Sequence, residues 1–514
     1  MRVGICLLLS TAAVFAVDHA VRVSGGLVSG ASGNKREIRV YKGIPYAAPP
    51  AGSLRWQPPA PAASWRGIRD GTRFSPVCWQ LPYPAGSIYR SAPQPTSEDC
   101  LYLNVWTGAR SEHERRPVMV WIHGGALTRG SGSTPTYDGE GLAAKGVVLV
   151  TINYRLGVFG FLAHPELTRE SNRKSSGNYG FLDQMAALEW VRKNISAFGG
   201  DPERVTIFGE SAGSWSVNLL AATPLAKGLF ARAIGESGAN FGLMQTLGQA
   251  EKNGARFAAS IGGGSLQTLR AKSPEELLKA TEGFAFPAIV DGWVLPADVY
   301  TIFAEGKQND VPLIAGSNAD EGTALSPWPA SGSAAAFTGN MQQRFGAFAA
   351  RFFELYPART DDEARIAHYS SYRDFVFGWQ MRTWARMAVR SGKSKAYLYY
   401  FSRTPPGPNS STLGAYHAAE IGYVFHNLSL SSRPYQESDR KLSDLMSSYW
   451  VNFAARGDPN GGDLPKWPEY RPESDTLLEF GDGAAPRKGL HRPRLDFFDD
   501  YFRAMRARLE TERN

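Results

Sequence analysis

Gly209-Glu210-Ser211-Ala212-Gly213 follows directly on the apolar, β-prone run Val205-Thr206-Ile207-Phe208. A strand that ends in Gly-x-Ser-x-Gly turns sharply into a helix and lifts the serine hydroxyl out of the sheet, into reach of a bound molecule. The residues flanking the serine must be small, because so strained a turn brings backbone segments close together. A serine hydroxyl is a weak nucleophile near neutral pH. Ser211 therefore needs a base to take its proton and an acid to orient that base.

The base is sought among eight histidines. His19 stands too close to the N-terminal apolar stretch. His123 sits in His123-Gly124-Gly125-Ala126, whose glycines suit a loop of backbone donors better than a base. His113 and His491 lie in charged, loop-like surroundings, His368 in a helical stretch, and His164 before a proline. That leaves His417, in Gly414-Ala415-Tyr416-His417-Ala418-Ala419-Glu420, with His426 as its rival nine positions on. The orienting acid is expected between serine and histidine in chain order. Gly316-Ser317-Asn318-Ala319-Asp320-Glu321-Gly322 follows a strand-like run there, and spacing leaves Asp320 and Glu321 both open. A tetrahedral oxyanion needs backbone N–H donors aimed at one point, each contributing roughly 3–4 kcal/mol. The amide of Ala212 is one, and the His123–Ala126 loop supplies the others.

These residues need a scaffold that brings distant loops to one edge. Pro117–Ile122 and Val147–Asn153 are near-continuous apolar runs, as buried parallel strands are. Val205–Phe208, Leu313–Gly316 and Tyr397–Phe401 complete a set of five. Helix-like segments, notably Gly180–Ala197 and Ser214–Ala222, separate them. Alternating strands and helices predict an α/β fold with a large, mostly parallel sheet covered on both faces. Glu251–Ala280 and Phe337–Val389 are expected as helical insertions over the carboxyl edge, shaping a pocket. Neither a linker nor a repeat interrupts the 514 residues, so residues 21–514 read as a single domain.

With 43% hydrophobic and 20% charged residues the chain has ample material for a large core. Met1-Arg2, the apolar stretch Val3–Val17 and the exit Val14-Phe15-Ala16 read as a secretory signal, cleaved after Ala16 or as late as Ala20. Cys6 leaves with it. The remaining Cys78 and Cys100 read as one disulfide in an exported protein. No later segment is apolar for long enough to span a bilayer. The net charge of +8 is scattered, with no basic run and no aromatic-interleaved basic stripe, which argues against nucleic acid as a partner.

The chain resembles the type-B carboxylesterases, which include cholinesterases and bacterial para-nitrobenzyl esterases. Tyr41-Lys42-Gly43-Ile44-Pro45-Tyr46-Ala47, Leu54-Arg55-Trp56 and Ser97-Glu98-Asp99-Cys100-Leu101-Tyr102-Leu103-Asn104 carry the likeness at the N-terminal end. Asn153-Tyr154-Arg155-Leu156-Gly157, Asn178-Tyr179-Gly180 with Asp183-Gln184, and Phe198-Gly199-Gly200-Asp201-Pro202 extend it, and overall it runs from about residue 25 to 498. The resemblance implies the α/β-hydrolase fold, Glu321 as the acid with Asp320 its neighbour, and His417 as the base. It implies oxyanion donors at Gly125, Ala126 and Ala212, with Gly124 shaping the turn, and Ser237 as a supporting serine behind them. Arg55 with Glu98 and Arg155 with Asp183 match structural ion pairs, and Cys78 with Cys100 matches the family's first disulfide.

Two residues depart from the pattern. Leu127 stands where relatives usually carry an aromatic, and Arg129 where many carry something small or polar. Gly124, Leu127, Arg129 and Glu210 are expected to line the substrate pocket, with Trp79, Tyr83 and Tyr89 as further aromatics. Arg129 would recognise a carboxylate on an acidic ester. The expectation is thus a secreted or periplasmic serine hydrolase that cleaves small carboxylic esters through an acyl-enzyme, with no metal or organic cofactor. Amidase or lactonase activity, and a non-catalytic binding protein on the same fold, are the alternatives.

Overall fold

The structure is a computed structural model that describes residues 20–513; the stretch expected to be a signal, with cleavage after Ala16, lies outside them. The central sheet is built from β1 (Ala31–Ser32), β2 (Arg39–Pro45), β3 (Tyr102–Thr107), β4 (Arg116–Ile122), β5 (Val148–Ile152), β6 (Gly200–Glu210), β7 (Arg232–Glu236), β8 (Leu313–Asn318), β9 (Ala396–Phe401), β10 (Thr476–Phe480) and β11 (Ala484–Lys488). Across the sheet they run β11-β10-β9-β8-β7-β6-β4-β5-β3-β2-β1.

From β10 to β5 every pairing is parallel. The pairings outside that block are antiparallel. All five strands expected from apolar runs are present and lie in the parallel block. Such strands are buried on both faces, so their sequences do not alternate with polar residues. The last strand, β11, is instead largely exposed, and its Pro486, Arg487 and Lys488 blunt an open edge. The strand before Ser211 is longer than its apolar run. It begins at Gly200, and a register shift between Gly200 and Val205 accommodates the polar Asp201, Glu203 and Arg204.

Alternate residues of β4 show how the layers are made. Val118, Val120 and Ile122 join one buried cluster, while Met119 and Trp121 join another. On the first face lie α1 (Tyr179–Asn194) and α2 (Ala212–Ala222), which contribute Leu188, Val191, Val217 and Leu220. After α3 (Glu321–Leu325) and α4 (Asp361–Arg373), α5 (Trp379–Ser391) adds Met381, Trp384 and Ala385 to the same face. The second face is covered by α6 (Glu437–Arg456) through Leu442, Met446, Trp450 and Phe453. This is the α/β-hydrolase architecture.

One expectation is corrected. The sequence places the whole stretch 337–389 over the carboxyl edge, but its last part, α5, lies on a sheet face. Trp384 packs so closely on Gly235 of β7 that a Cβ there would overlap its ring. The aromatic and apolar spacing of α5 suits a covering helix of either kind, and only the packing partner distinguishes them.

The expected cross-links are present. Cys78 and Cys100 form a disulfide with Cα atoms 5.0 Å apart. Arg55 meets Glu98 at 2.6 Å, and Arg155 meets Asp183 at 2.6 Å with both side chains buried. No helix among the described residues is long and apolar enough to cross a membrane.

Candidate active site

Ser211 sits between β6 and α2 with φ 58° and ψ −123°, a conformation that costs a non-glycine residue on the order of 1–3 kcal/mol. Its surroundings hold it there. The Ser211 N–H donates to Glu236 O at 2.8 Å, and its carbonyl accepts from Trp215 N–H at 2.9 Å. Both glycines of the motif press on the carbonyl of Ile122, at the end of β4. A Cβ on Gly209 would come within 2.5 Å of that oxygen, and one on Gly213 would overlap it. The small residues are thus required by the neighbouring strand as much as by the turn.

Beyond β8, the two acidic candidates separate. Glu321 Oε2 lies 2.6 Å from His417 Nδ1, and Glu321 Oε1 accepts the Asn318 N–H at 2.8 Å. Asp320 points elsewhere. Its Oδ2 accepts the Ala415 N–H at 2.8 Å and fills the space against Gly414, where a Cβ would overlap it. Asp320 therefore shapes the histidine loop, and Glu321 holds the imidazole. Asn318 adds a second tie, donating from Nδ2 to Tyr416 O at 2.9 Å and to Glu420 Oε2 at 2.5 Å.

His417 is buried and lies against Phe377, with ring centroids 4.8 Å apart. Glu210, expected at the pocket surface, is instead buried beside it. Its Oε1 is 2.9 Å from His417 Nε2, outside hydrogen-bond angles, and neither atom has another partner among the described residues. Burial alone would lower the pKa of His417, but the carboxylates of Glu210 and Glu321 outweigh it and raise the pKa well above 6.5. Burial raises Glu210 above the usual carboxylate range. Glu420, also buried, is pushed up to about 8 by desolvation and by Glu210 and Glu321. No hydrogen bond joins Ser211 to His417 Nε2 among the described residues. Such bonds often tighten only when substrate binds.

The His123–Ala126 loop runs against the elbow. A Cβ on Gly124 would lie 2.7 Å from Glu210 O and 3.0 Å from Ser211 Cβ. Gly125 has φ 100°, Ala126 φ 56° and Leu127 φ 59°, and the carbonyl of Gly125 accepts from Thr128 and Arg129 N–H at 3.0 Å each. This turn leaves the amides of Gly125, Ala126 and Ala212 without a backbone acceptor among the described residues. His123 anchors it from below. Its Nδ1 is 2.8 Å from Gly124 O, its ring stacks on Tyr154, and burial lowers its pKa to about 4.

The remaining expected residues fall in several places. Ser237 is buried behind the elbow with φ 55°; its N–H donates to Gly316 O at 2.8 Å, and its hydroxyl has no partner among the described residues. Leu127 is buried with the main core cluster rather than exposed at the mouth. Arg129 is half-buried; its Nε donates to Leu81 O at 3.1 Å and its guanidinium stands 5.5 Å from the Tyr83 ring. Trp79 packs against the cluster around Trp56, whereas Tyr83 and Tyr89 pair with each other at 5.9 Å. The rival base, His426, lies apart, facing Ser443. Sequence reasoning missed Asn318 and Phe377. Asn318 stood in a motif already singled out, whereas Phe377 has no local signal and reaches His417 through a π-helical turn at Asp374–Gly378.

A serine on a strained elbow, a carboxylate-bound imidazole and unengaged amides beside the serine fit acyl transfer through a covalent intermediate. Comparison with known proteins agrees. The carboxylesterase family model matches residues 17–498. The chain is 38% identical over 485 residues to fumonisin B1 esterase of Sphingopyxis macrogoltabida, covering 90% of this chain and 87% of that one. It is 37% identical over 474 residues to para-nitrobenzyl esterase of Bacillus subtilis (strain 168), covering 88% and 93%. A solved structure of PNB esterase superposes with a TM-score of 0.80 at 35% identity, covering 93% of this chain and 99% of that one. The chain belongs to the carboxylesterase family.

Proposed function

We propose that this carboxylic-ester hydrolase works through Ser211, His417 and Glu321. Ser211 attacks the ester carbonyl while His417 takes its proton, and the oxyanion settles against the amides of Gly125, Ala126 and Ala212. Glu321 keeps the imidazole in the tautomer that presents Nε2 as a base and stabilises the imidazolium that forms. His417 then protonates the departing alcohol and activates the water that cleaves the acyl-enzyme. Gly124 lets the oxyanion turn close on the elbow, and Ser237 supports the triad from behind. The observation that carries this reading is the 2.6 Å contact of Glu321 with His417 Nδ1, behind a serine flanked by unengaged amides.

Ser211→Ala tests it directly. The variant is expected to fold as the parent and to lose roughly a thousandfold or more in kcat on a p-nitrophenyl ester. Retained turnover would remove Ser211 from the chemistry. A labelled organophosphate that leaves Ser211 unmodified would favour a binding protein instead. Matched ester and amide substrates separate esterase from amidase activity.

A second reading concerns the substrate. The half-buried Arg129 is tied through Nε to a carbonyl, and no carboxylate pairs with it among the described residues. Its Nη donors suit bidentate recognition of a carboxylate on the substrate. The test compares a neutral p-nitrophenyl ester with one bearing a free acyl-chain carboxylate, on the parent and on Arg129→Ala. A carboxylate preference that vanishes in the variant supports a specialised enzyme for acidic esters; equal rates leave a broad carboxylesterase. Export to the periplasm or medium is supported by the N-terminal apolar stretch and the Cys78–Cys100 disulfide. The mass of the N-terminal peptide of secreted protein tests it, and cleavage after Ala16 is expected.

A further inference from the structure

The two loops that carry the proposed chemistry both hold residues in conformations that L-amino acids avoid. Ala126 and Leu127 have φ of 56° and 59° in the oxyanion turn, and Ala418, directly after His417, has φ of 71°. Such backbone persists only where the surroundings over-determine it. On its acid side the histidine loop is tied by Asn318 and Asp320, as described above. On the other side, besides the elbow itself, a second segment reaches both loops. It is the stretch closed by the Cys78–Cys100 disulfide.

Gln80 grips the chain just past the oxyanion turn with both ends of its amide. Its Nε2 donates to Gly130 O at 2.9 Å, and its Oε1 accepts the Gly130 N–H at 2.7 Å. One residue on, Leu81 O receives Arg129 Nε at 3.1 Å. Tyr89 then crosses to the other loop and donates its hydroxyl to the backbone carbonyl of His417 at 3.0 Å. Near the far end of the segment, Gln94 Oε1 accepts the Ser133 hydroxyl at 2.6 Å. Gln80 and Tyr89 are both half-buried, and most of the segment between them is exposed. A segment that added little but cover would have no need to place two hydrogen-bonding side chains on the backbones of two separate catalytic loops.

We propose that the disulfide-closed loop 78–100 is a strap that holds the oxyanion turn and the histidine loop in reactive register, with Gln80 and Tyr89 as its two positioning residues. The proposal rests on the assignment of Ser211, His417 and the oxyanion amides given above. Gln80 sets where the turn presents its amides, and Tyr89 sets where His417 stands between Ser211 and Glu321. Neither residue touches the reacting atoms. Displacements well below an ångström at such contacts lower turnover without loss of the fold.

Tyr89→Phe and Gln80→Ala test the strap in the full chain, using p-nitrophenyl butyrate for turnover and diethyl p-nitrophenyl phosphate for the rate of Ser211 modification. Each variant is expected to lose about tenfold in kcat and in phosphorylation rate, with KM within about twofold of the parent. The melting temperature should stay within about 2 °C, since each change removes only a partly exposed hydrogen-bonding group. The pH profile divides the two roles. In Tyr89→Phe the acidic limb of kcat/KM should move down, as His417 loosens from the carboxylates that raise its pKa. In Gln80→Ala the limb should stay in place. If Gln80→Ala does not fold, the near-isosteric Gln80→Met removes the same hydrogen bonds. Parent-like kcat in both variants overturns the proposal, as does a loss that follows the melting temperature with no movement of the pH limb in Tyr89→Phe. Turnover retained by Ser211→Ala would overturn the underlying catalytic reading instead. A dead Ser211→Ala beside fully active strap variants rejects the strap alone.

Discussion

His417 stands between two carboxylates, and this pair of contacts decides its working range. Glu321 meets Nδ1 at 2.6 Å and Glu210 lies 2.9 Å from Nε2. Both charges favour the imidazolium, against the effect of burial, so its pKa is raised above 6.5. As the proposed base, His417 must be neutral to accept the serine proton, so kcat/KM should rise with pH through this raised value. Glu210→Gln removes one of the raising charges. Its acidic limb is therefore expected at lower pH than the parent's, and an unmoved limb in the pH–rate profile would show that Glu210 does not act on the imidazole. The neighbouring acids should separate sharply as well. Glu321→Gln is expected to lower kcat by roughly a thousandfold or more through loss of the orienting charge. Asp320→Asn, whose side chain bonds the Ala415 N–H and packs on Gly414 rather than on the imidazole, should stay within about tenfold of the parent. Equal losses in steady-state kinetics would mean that Asp320 also holds the imidazole.

At the level of elements, the elbow is a joint between three parts: β6 before Ser211, α2 after it, and the end of β4 beside it. Gly213, in the first turn of α2, lies against the carbonyl of Ile122 with no room for a methyl group. Gly213→Ala must push α2 away from β4 or twist the elbow. Either response displaces Ser211 from the amides of Gly125 and Ala126, which hang from the same strand end. The variant is expected to lose at least about a hundredfold in kcat even where soluble protein is recovered. Parent-like activity in refolded, monodisperse material would show that the joint can give.

Over the whole molecule, catalytic geometry and stability are carried by different charged groups. Arg155 and Asp183 are buried and joined by the Arg155 N–H, Nε and Nη2, each donating to the Asp183 carboxylate. Arg155 also donates to Gln57 O, linking the loop after β5 to α1 and the N-terminal segment. Removing one partner of such a pair leaves a buried charge uncompensated, at a cost of about 3–5 kcal/mol. Asp183→Asn is accordingly expected to lower the thermal midpoint by several degrees in scanning calorimetry while the surviving folded enzyme keeps its kcat. A fall in kcat at unchanged midpoint would place the pair in the site rather than in the frame.

Part of this protein was determined by its sequence alone because the constraint was local. Gly-x-Ser-x-Gly after an apolar run is a steric statement about one turn. The continuous apolar runs state which strands are buried on both faces. An unpaired glycine-rich stretch after β4 states where free amides can gather. From these residues the α/β sheet was legible, as were the serine elbow, the His417 loop and the glycine-rich turn on which the proposed mechanism rests. What remained open was set by direction rather than by identity. Asp320 and Glu321 are adjacent carboxylates, and only the packing of Gly414 and Ala415 against one of them turns the other towards a histidine 96 positions away. Glu210 follows β6 into the buried layer beside His417, and Leu127 is drawn into the core; spacing along the chain cannot show either. Tyr89 and Gln80 acquire their contacts because the Cys78–Cys100 loop folds over two strand ends that are far apart in sequence. Tertiary structure decided these points because hydrogen-bond direction and side-chain burial depend on neighbours that the chain meets only once it is folded.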